Sequence, residues 1–243
     1  MGGLAQRDVV AVLTRAPSAG GKSRLFADLG IAADPSLLTA LLLDTIDATA
    51  LPDVVRIVAV EPDSACDEVR AIVPADLRVM SQPGGTLGDR MAGVMRTLFD
   101  NGARAVALVG SDLPALPAAA LARAFVLLHD DPQSVVLGPA SDGGYYLIAA
   151  CHVPDLFGGI EWGTSRVLEQ TQTLAARLRL RLHLVERTCD VDTLADLAAV
   201  VHDPTSSGAL NRVAARTRDW ARRRGIGMGK RPMIRDGNNL EPS

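Results

Sequence analysis

The sequence predicts an α/β three-layer sandwich, a mixed, mostly parallel sheet of seven strands with helices on both faces. Three observations carry this. Apolar runs of strand length alternate with longer segments of helical period, the pattern of strand–helix–strand crossovers. The chain has 243 residues, 48% of them hydrophobic and 22% charged, which suits one sizeable core. Only 3% are aromatic, so that core must be built from Ala, Val and Leu.

Taken in order, Val9–Leu13 is a β-branched run and reads as a buried first strand. The loop Thr14–Ser23 is rich in Gly, Pro and Ser. Pro35–Leu51 carries apolar residues at helical spacing, with Asp34 placed to cap it and Pro35 at its first position. Val54–Val60 is a second strand, Asp63–Ile72 a short helix and Leu77–Met80 a third strand. A helix follows over Leu87–Asp100. Ala103–Val109 is the most apolar strand and belongs at the sheet centre. After a helix over Pro117–His129, the strands Ser134–Leu137 and Tyr145–Ala150 lie too close for a helical crossover, so an antiparallel element is expected there. Ser165–Leu178 is helical, Arg181–Val185 is the seventh strand, and a helix from Thr193 reaches Val201. One domain over residues 1–222 is expected, followed by a basic, disordered tail over 223–243.

Several function classes are disfavoured. The net charge of −3 makes no global case for nucleic acid, and the basic tail lacks aromatic residues for stacking on bases. Cys66, Cys151 and Cys189 are odd in number and widely spaced, with neither disulfide nor metal-ligand spacing. Met1–Asp8 lacks the features of a signal peptide, and no apolar run is long enough to span a bilayer. A cytoplasmic protein without membrane contact is expected. The four histidines form no spaced pair, and no Ser/His/Asp arrangement stands out.

In an open parallel sheet, ligands bind outside the carboxyl ends of the strands, so the loops there hold the candidates. The first is Ala16–Leu25. Gly20 and Gly21 let backbone N–H groups approach an anion, and Lys22 and Arg24 add positive charge. It is not a Walker A loop, because Ala16 stands where the first glycine should be. In the second, Gln82–Arg90, the Gln82 amide could read a base edge while Gly85 and Thr86 give close approach and a hydroxyl; a loop that merely caps the next helix explains it equally well. In the third, Gly110–Pro114, Asp112 follows the most buried strand and is well set to hold a divalent cation against phosphate oxygens. In the fourth, Gly138–Tyr146, an Asp-Gly hairpin turn and a pocket lined by Asp142 are equal readings. In the fifth, Asp190–Thr193, two carboxylates two residues apart can face one ion if the backbone is extended, or Asp192 can cap the following helix.

In this order, together with Phe157–Trp162, these loops resemble a bacterial family of GT-A-fold glycosyltransferases, a domain of unknown function. More distantly they are similar to 2-phospholactate guanylyltransferase and molybdenum-cofactor guanylyltransferase. The resemblance covers roughly residues 8–202. It implies the nucleotide-diphosphate-sugar transferase fold, GT-A or Rossmann-like. Gly20, Gly21, Lys22 and Arg24 would then hold the nucleotide's phosphates, and Gln82, Gly85 and Thr86 its base and ribose. Asp112, Asp190 and Asp192 would hold Mg²⁺ or Mn²⁺. Asp142, Gly143, Gly144, Tyr145 and Trp162 would shape the acceptor pocket.

Three functions follow, in descending order. The first is Mg-dependent transfer of a nucleoside monophosphate from an NTP to a phosphorylated or phosphonate small molecule, with Lys22, Arg24 and Asp112 as the catalytic set. It leads because a Gly/Lys/Arg loop is suited to gripping a pyrophosphate leaving group. The second is glycosyl transfer from a nucleotide sugar, which wants an acceptor base that only Asp142 could supply. The third is a non-catalytic nucleotide-binding module. The expected partners are therefore a nucleotide and a small-molecule acceptor, and the reading leaves room for a homodimer.

Overall fold

The structure is a computed structural model that describes residues 3, 4, 6–202 and 213–226. Its seven strands are β1 (Asp8–Arg15), β2 (Val54–Glu61), β3 (Arg78–Ser81), β4 (Ala105–Gly110), β5 (Val135–Pro139), β6 (Tyr145–Ala150) and β7 (Leu182–Leu184). They form one sheet in the order β3-β2-β1-β4-β6-β5-β7. β4 is the central strand, as its apolar sequence requires. β1 pairs in parallel with β2 and with β4, and β3 and β7 are also parallel to their neighbours. β6 alone runs against both neighbours, β4 and β5, which is the antiparallel element expected from the short β5–β6 connection.

Alternate residues of each strand feed opposite faces. Val10 and Val12 join the core beneath α2 (Pro35–Ala48), α3 (Cys66–Ile72) and α5 (Ala118–Asp130). Val9 and Ala11 join the core beneath α4 (Leu87–Asp100) and α6 (Val167–Arg177). A third cluster unites α1 (Ser23–Leu29), α7 (Leu194–His202), α8 (Ala215–Arg223) and the outer side of α2. Asp34 caps α2 as expected, accepting from the Ser36 N–H at 2.9 Å.

Two features depart from the sequence reading. α2 stops at Ala48, three residues early, because Thr49 turns its hydroxyl back onto the Ile46 carbonyl and ends the coil. α8 is an element the sequence reading did not include. Residues 223–226 continue that packed element and do not open a tail: Arg224 pairs with Asp34 and stacks on Trp220, and Ile226 packs on the third cluster. The expected disorder of the remaining tail falls on 227–243, outside the described residues.

The strand order places the site. From β1 the chain moves outward to β2 and β3, then returns to the other side of β1 to form β4. The loops leaving the adjacent ends of β1 and β4 therefore diverge and open a crevice between them.

Candidate active site

Lys22 and Asp112 come from those two diverging loops and meet in the crevice. The Lys22 ammonium bonds to Asp112 Oδ2 and Asp192 Oδ1, and lies 3.8 Å from Asp190 Oδ2. Lys22 has left-handed backbone geometry, φ 52°, which costs a non-glycine residue about 1–2 kcal/mol. The ion pairs that this conformation permits offset the strain. The Asp190–Asp192 loop is stitched to the β4 loop by the Val191 N–H, which donates to the Asp112 carbonyl at 3.0 Å. Residues 79 apart in sequence are thus fixed beside one another by one backbone bond.

One carboxylate oxygen from each of Asp112, Asp190 and Asp192 lies within 4.8 Å of the others. All three side chains are partly buried. Such crowding costs free energy, and Asp190 records it. Burial, then repulsion from Asp112 and Asp192, push its carboxyl up to about 6 even though Lys22 pulls the other way. Burial also weakens the Lys22 ammonium, but Asp112 and Asp192 more than reverse this and hold it above the ordinary lysine value. Three ionised carboxylates and one ammonium leave two unbalanced negative charges, which one divalent cation would cancel. The donors are hard oxygens, the set that Mg²⁺ and Mn²⁺ prefer, and the lysine ammonium already stands among them as a cation.

Asp192 does not cap α7, contrary to one reading of the sequence. Thr193 does, exchanging bonds with Asp196: the Asp196 N–H donates to the Thr193 hydroxyl at 3.2 Å, and the Thr193 N–H donates to Asp196 Oδ2 at 2.8 Å. That division of labour frees Asp192 to face Lys22.

Two hollows meet at Gly110 and Asp112, which line both. One, of about 270 Å³, is lined by Thr14, Arg15, Gly20, Gly21, Lys22 and Ser111, among others. The other, of about 290 Å³, is lined by Arg24, Asp142, Gly144, Tyr145 and Trp162 together with Asp190 and Asp192. Arg24 therefore lines a different hollow from Gly20 and Gly21, the residues with which the sequence grouped it. Trp162 meets Tyr145 edge to face, with ring centroids 6.2 Å apart. Asp142 fills both roles considered for it. Its Oδ1 accepts the Gly144 N–H at 2.9 Å within the hairpin turn, and its side chain borders the hollow. Gly143 has φ 92° and packs so closely that a Cβ would lie 2.1 Å from the Ser165 carbonyl oxygen, so this turn is docked onto the segment preceding α6.

The structure does not bring Gln82, Gly85 and Thr86 to these hollows. Gln82 is buried, and its amide donates to the carbonyls of Thr14 at 3.1 Å and Ala59 at 2.8 Å, so both N–H donors are spent on the sheet. Thr86 is the N-cap of α4 in a capping box with Asp89, and Gly85 is held against the same Asp89 carboxylate. The capping alternative for this loop is the one its hydrogen bonds satisfy. Conversely, the sequence reading missed Arg15, Leu87, Met91 and Val167 as cleft residues. Leu87, Met91 and Val167 sit in helices whose other apolar residues serve the core. Arg15 lies two residues past the apolar run that marked the strand, and only the parallel pairing of β1 with β4 places it beside Asp112.

Residues 43–164 match the model of a family described as "Uncharacterized protein conserved in bacteria (DUF2064)". No curated protein matches the chain. Among solved structures, the chain is similar to the "putative nucleotide-diphospho-sugar transferase" of Desulfovibrio desulfuricans G20, with 28% identity and a TM-score of 0.77 over 89% of this chain and 94% of that one. It also shares a fold with CMP:2-keto-3-deoxy-manno-octonic acid synthetase complexed with CTP, at 15% identity and a TM-score of 0.52, covering 80% of this chain and 96% of that one. A nucleotidyl transferase from Methanothermobacter thermautotroptrophicus matches at 18% identity and a TM-score of 0.50 over 78% and 92% of the two chains. The fold is that of the nucleotide-diphospho-sugar transferases and nucleotidyltransferases.

Proposed function

This chain belongs to the bacterial DUF2064 family, and from that premise we propose that it is a metal-dependent nucleotidyltransferase. It would transfer a nucleoside monophosphate from an NTP to the phosphate or phosphonate of a small acceptor. The observation that carries the reading is the convergence of Asp112, Asp190 and Asp192 on one point beside the Gly20-Gly21-Lys22 turn.

An acceptor oxygen would attack the α-phosphorus, a new P–O bond would form, and the bond to the β-phosphate bridging oxygen would break to release pyrophosphate. No protein nucleophile is required. The task left to the protein is to hold two polyanions together, which is a matter of charge and alignment. Asp112, Asp190 and Asp192 would hold Mg²⁺ or Mn²⁺, which when bound supplies positive charge to phosphate oxygens. Lys22 competes for the same carboxylates, so phosphate oxygens are its natural acceptors once those are taken. Gly20 and Gly21 line the same hollow; the Gly20 N–H donates to the Pro17 carbonyl at 3.2 Å, which leaves the Gly21 backbone to approach an anion.

Glycosyl transfer is the second reading, favoured by the likeness to the "putative nucleotide-diphospho-sugar transferase" of Desulfovibrio. An acceptor base is what it lacks. Among the described residues that line the two hollows, Asp142 is the only carboxylate outside the triad, and its Oδ1 is engaged by the turn.

The test is a product assay. The protein is incubated with each NTP, Mg²⁺ and a panel of phosphorylated acids, and pyrophosphate is measured. Pyrophosphate that appears only with an acceptor supports nucleotidyl transfer; none with any acceptor, alongside turnover of a nucleotide sugar, moves the assignment to sugar transfer. Asp112→Ala should abolish metal-dependent nucleotide binding, and unchanged binding would count against both enzyme readings.

A further inference from the structure

Most of the cations around the crevice are already occupied. Lys22 is held by the triad, Arg90 pairs with Glu61, Arg166 pairs with Glu161, and Arg187 donates to the Ala140 carbonyl. Among the described residues lining the two hollows, Arg15 and Arg24 are the two arginines, and neither has a carboxylate partner. They fall one to each hollow: Arg15 with Gly20 and Gly21, Arg24 with Tyr145 and Trp162. An exposed arginine is ordinary on a protein surface. An unpaired guanidinium in each half of a divided cleft gives each half its own anion grip, because the planar fork matches phosphate or phosphonate oxygens in pairs.

The halves also differ in their walls. On the Arg24 side, Leu87 stands 39% exposed at the first turn of α4, facing the hollow with Met91, Val167 and the Tyr145–Trp162 pair. A second apolar hollow of about 180 Å³ adjoins it, sharing Leu87, Met91 and Tyr145 and extending to Leu13 and Ile148. Open leucine and aromatic surface at a cleft is stabilised by covering it with carbon. On the Arg15 side Leu13, Leu38 and Leu41 line the hollow without an aromatic pair, and Gly21, Lys22 and Ser111 are the groups there that suit phosphate.

We infer that the two hollows take two separate anions: Arg15 grips the phosphates of the nucleotide, and Arg24 grips an acceptor that pairs an anionic group with an apolar body. This rests on the nucleotidyl-transfer reading and refines it, since it moves Arg24 from the nucleotide to the acceptor and makes Arg15 a binding residue.

The test is calorimetry on the full chain with Mg²⁺ present. The nucleotide probes are α,β-methylene analogues of the four NTPs, which cannot release pyrophosphate. The acceptor-side probe is phenylphosphonate, with inorganic phosphate and neutral benzamide as controls. Phenylphosphonate should bind at least fivefold tighter than either control. Arg24→Gln should weaken phenylphosphonate at least tenfold while leaving the best nucleotide analogue within twofold, and Arg15→Gln should do the reverse. Both side chains are exposed, so unchanged melting temperatures confirm that folding is not the cause. The proposal is overturned if Arg24→Gln weakens the nucleotide analogue and spares phenylphosphonate, or if each variant weakens both probes. It is overturned equally if inorganic phosphate binds as well as phenylphosphonate, or if phenylphosphonate does not bind. Absence of binding by every analogue to the wild type would sink nucleotidyl transfer and the role of Arg15 together, and the phenylphosphonate arm would still decide Arg24.

Discussion

Asp190 is the residue at which the cost of assembling the site can be measured. Its carboxyl has an ordinary value of 3.8 and is pushed up to about 6 by burial and by its neighbouring carboxylates. Between those values the folded chain keeps a proton that the unfolded chain has released. Stability of the metal-free protein therefore falls as pH rises from about 4 to about 6. Lys22 contributes in the opposite sense, with its ammonium raised above the ordinary 10.5, so its contribution is fully present throughout that window. Asp190→Asn should flatten the acid-side slope and raise the neutral-pH melting temperature of the metal-free protein by a few degrees, the effect of about 1 kcal/mol. It should also lose the stabilisation that Mg²⁺ gives the wild type, which should itself be larger at pH 7.5 than at pH 5.5. Equal Mg²⁺ responses in the two proteins would remove Asp190 from the metal site. Lys22→Met probes the same cluster from the other side. With the ammonium gone, three crowded carboxylates face one another, and about 3 kcal/mol should be lost, as when one member of a buried ion pair is removed. Added Mg²⁺ should restore most of it, as urea titrations with and without the ion would show.

Two helices, one on the sheet and one in the third cluster, begin on one four-residue device. Thr86 with Asp89 opens α4, and Thr193 with Asp196 opens α7. Thr86→Ala should cost about 1 kcal/mol by urea unfolding, the ordinary worth of an N-cap; a loss of nucleotide affinity without a loss of stability would instead return Thr86 to the binding site. Both boxes are visible in the sequence as Thr-x-x-Asp ahead of a helical run, and that signal separates a capping threonine from a ligand. The strands were legible for a related reason: a buried parallel strand reads as a continuous apolar run, and β1, β2 and β4 are such runs. Asp112 was legible because it follows the central strand, whereas Asp190 and Asp192 follow the edge strand β7 and are carried to it by a loop that the Val191 N–H pins to the Asp112 carbonyl. Gln82 was not, because its burial depends on how the short edge strand β3 registers on β2, which no local pattern specifies. α8 was hidden by its composition. Its buried side includes Thr217 and Arg218 beside Trp220 and Ala221, so the helix shows no apolar stripe and reads as a basic segment.

At the scale of the whole molecule, α8 packs on the helix that follows the Lys22 turn. Trp220 is buried in the third cluster with Leu25 and Phe26 of α1, directly after Lys22 and Arg24. Its indole N–H reaches Asp34 at 3.1 Å and Ser36 at 3.0 Å, at the cap of α2. Further along the interface, the buried Asp44 carboxylate accepts from the backbone N–H groups of Arg216 at 3.2 Å and Thr217 at 2.7 Å. One face of α1 thus rests on α2, α7 and α8 and not on the sheet, and the position of Lys22 depends on that support. Trp220→Ala should cost about 3 kcal/mol, the usual loss for truncating a buried tryptophan. It should also weaken Mg²⁺-dependent binding of an NTP analogue, because the turn that presents Lys22 loses its backing. Trp220→Phe keeps most of the ring and removes the bond to Asp34, so it should cost about 1 kcal/mol and leave binding nearly intact. Measuring melting and analogue affinity on both variants separates the two contributions. If Trp220→Ala lowers stability with no change in affinity, α8 only covers apolar surface, and the geometry of the crevice is set by the sheet alone.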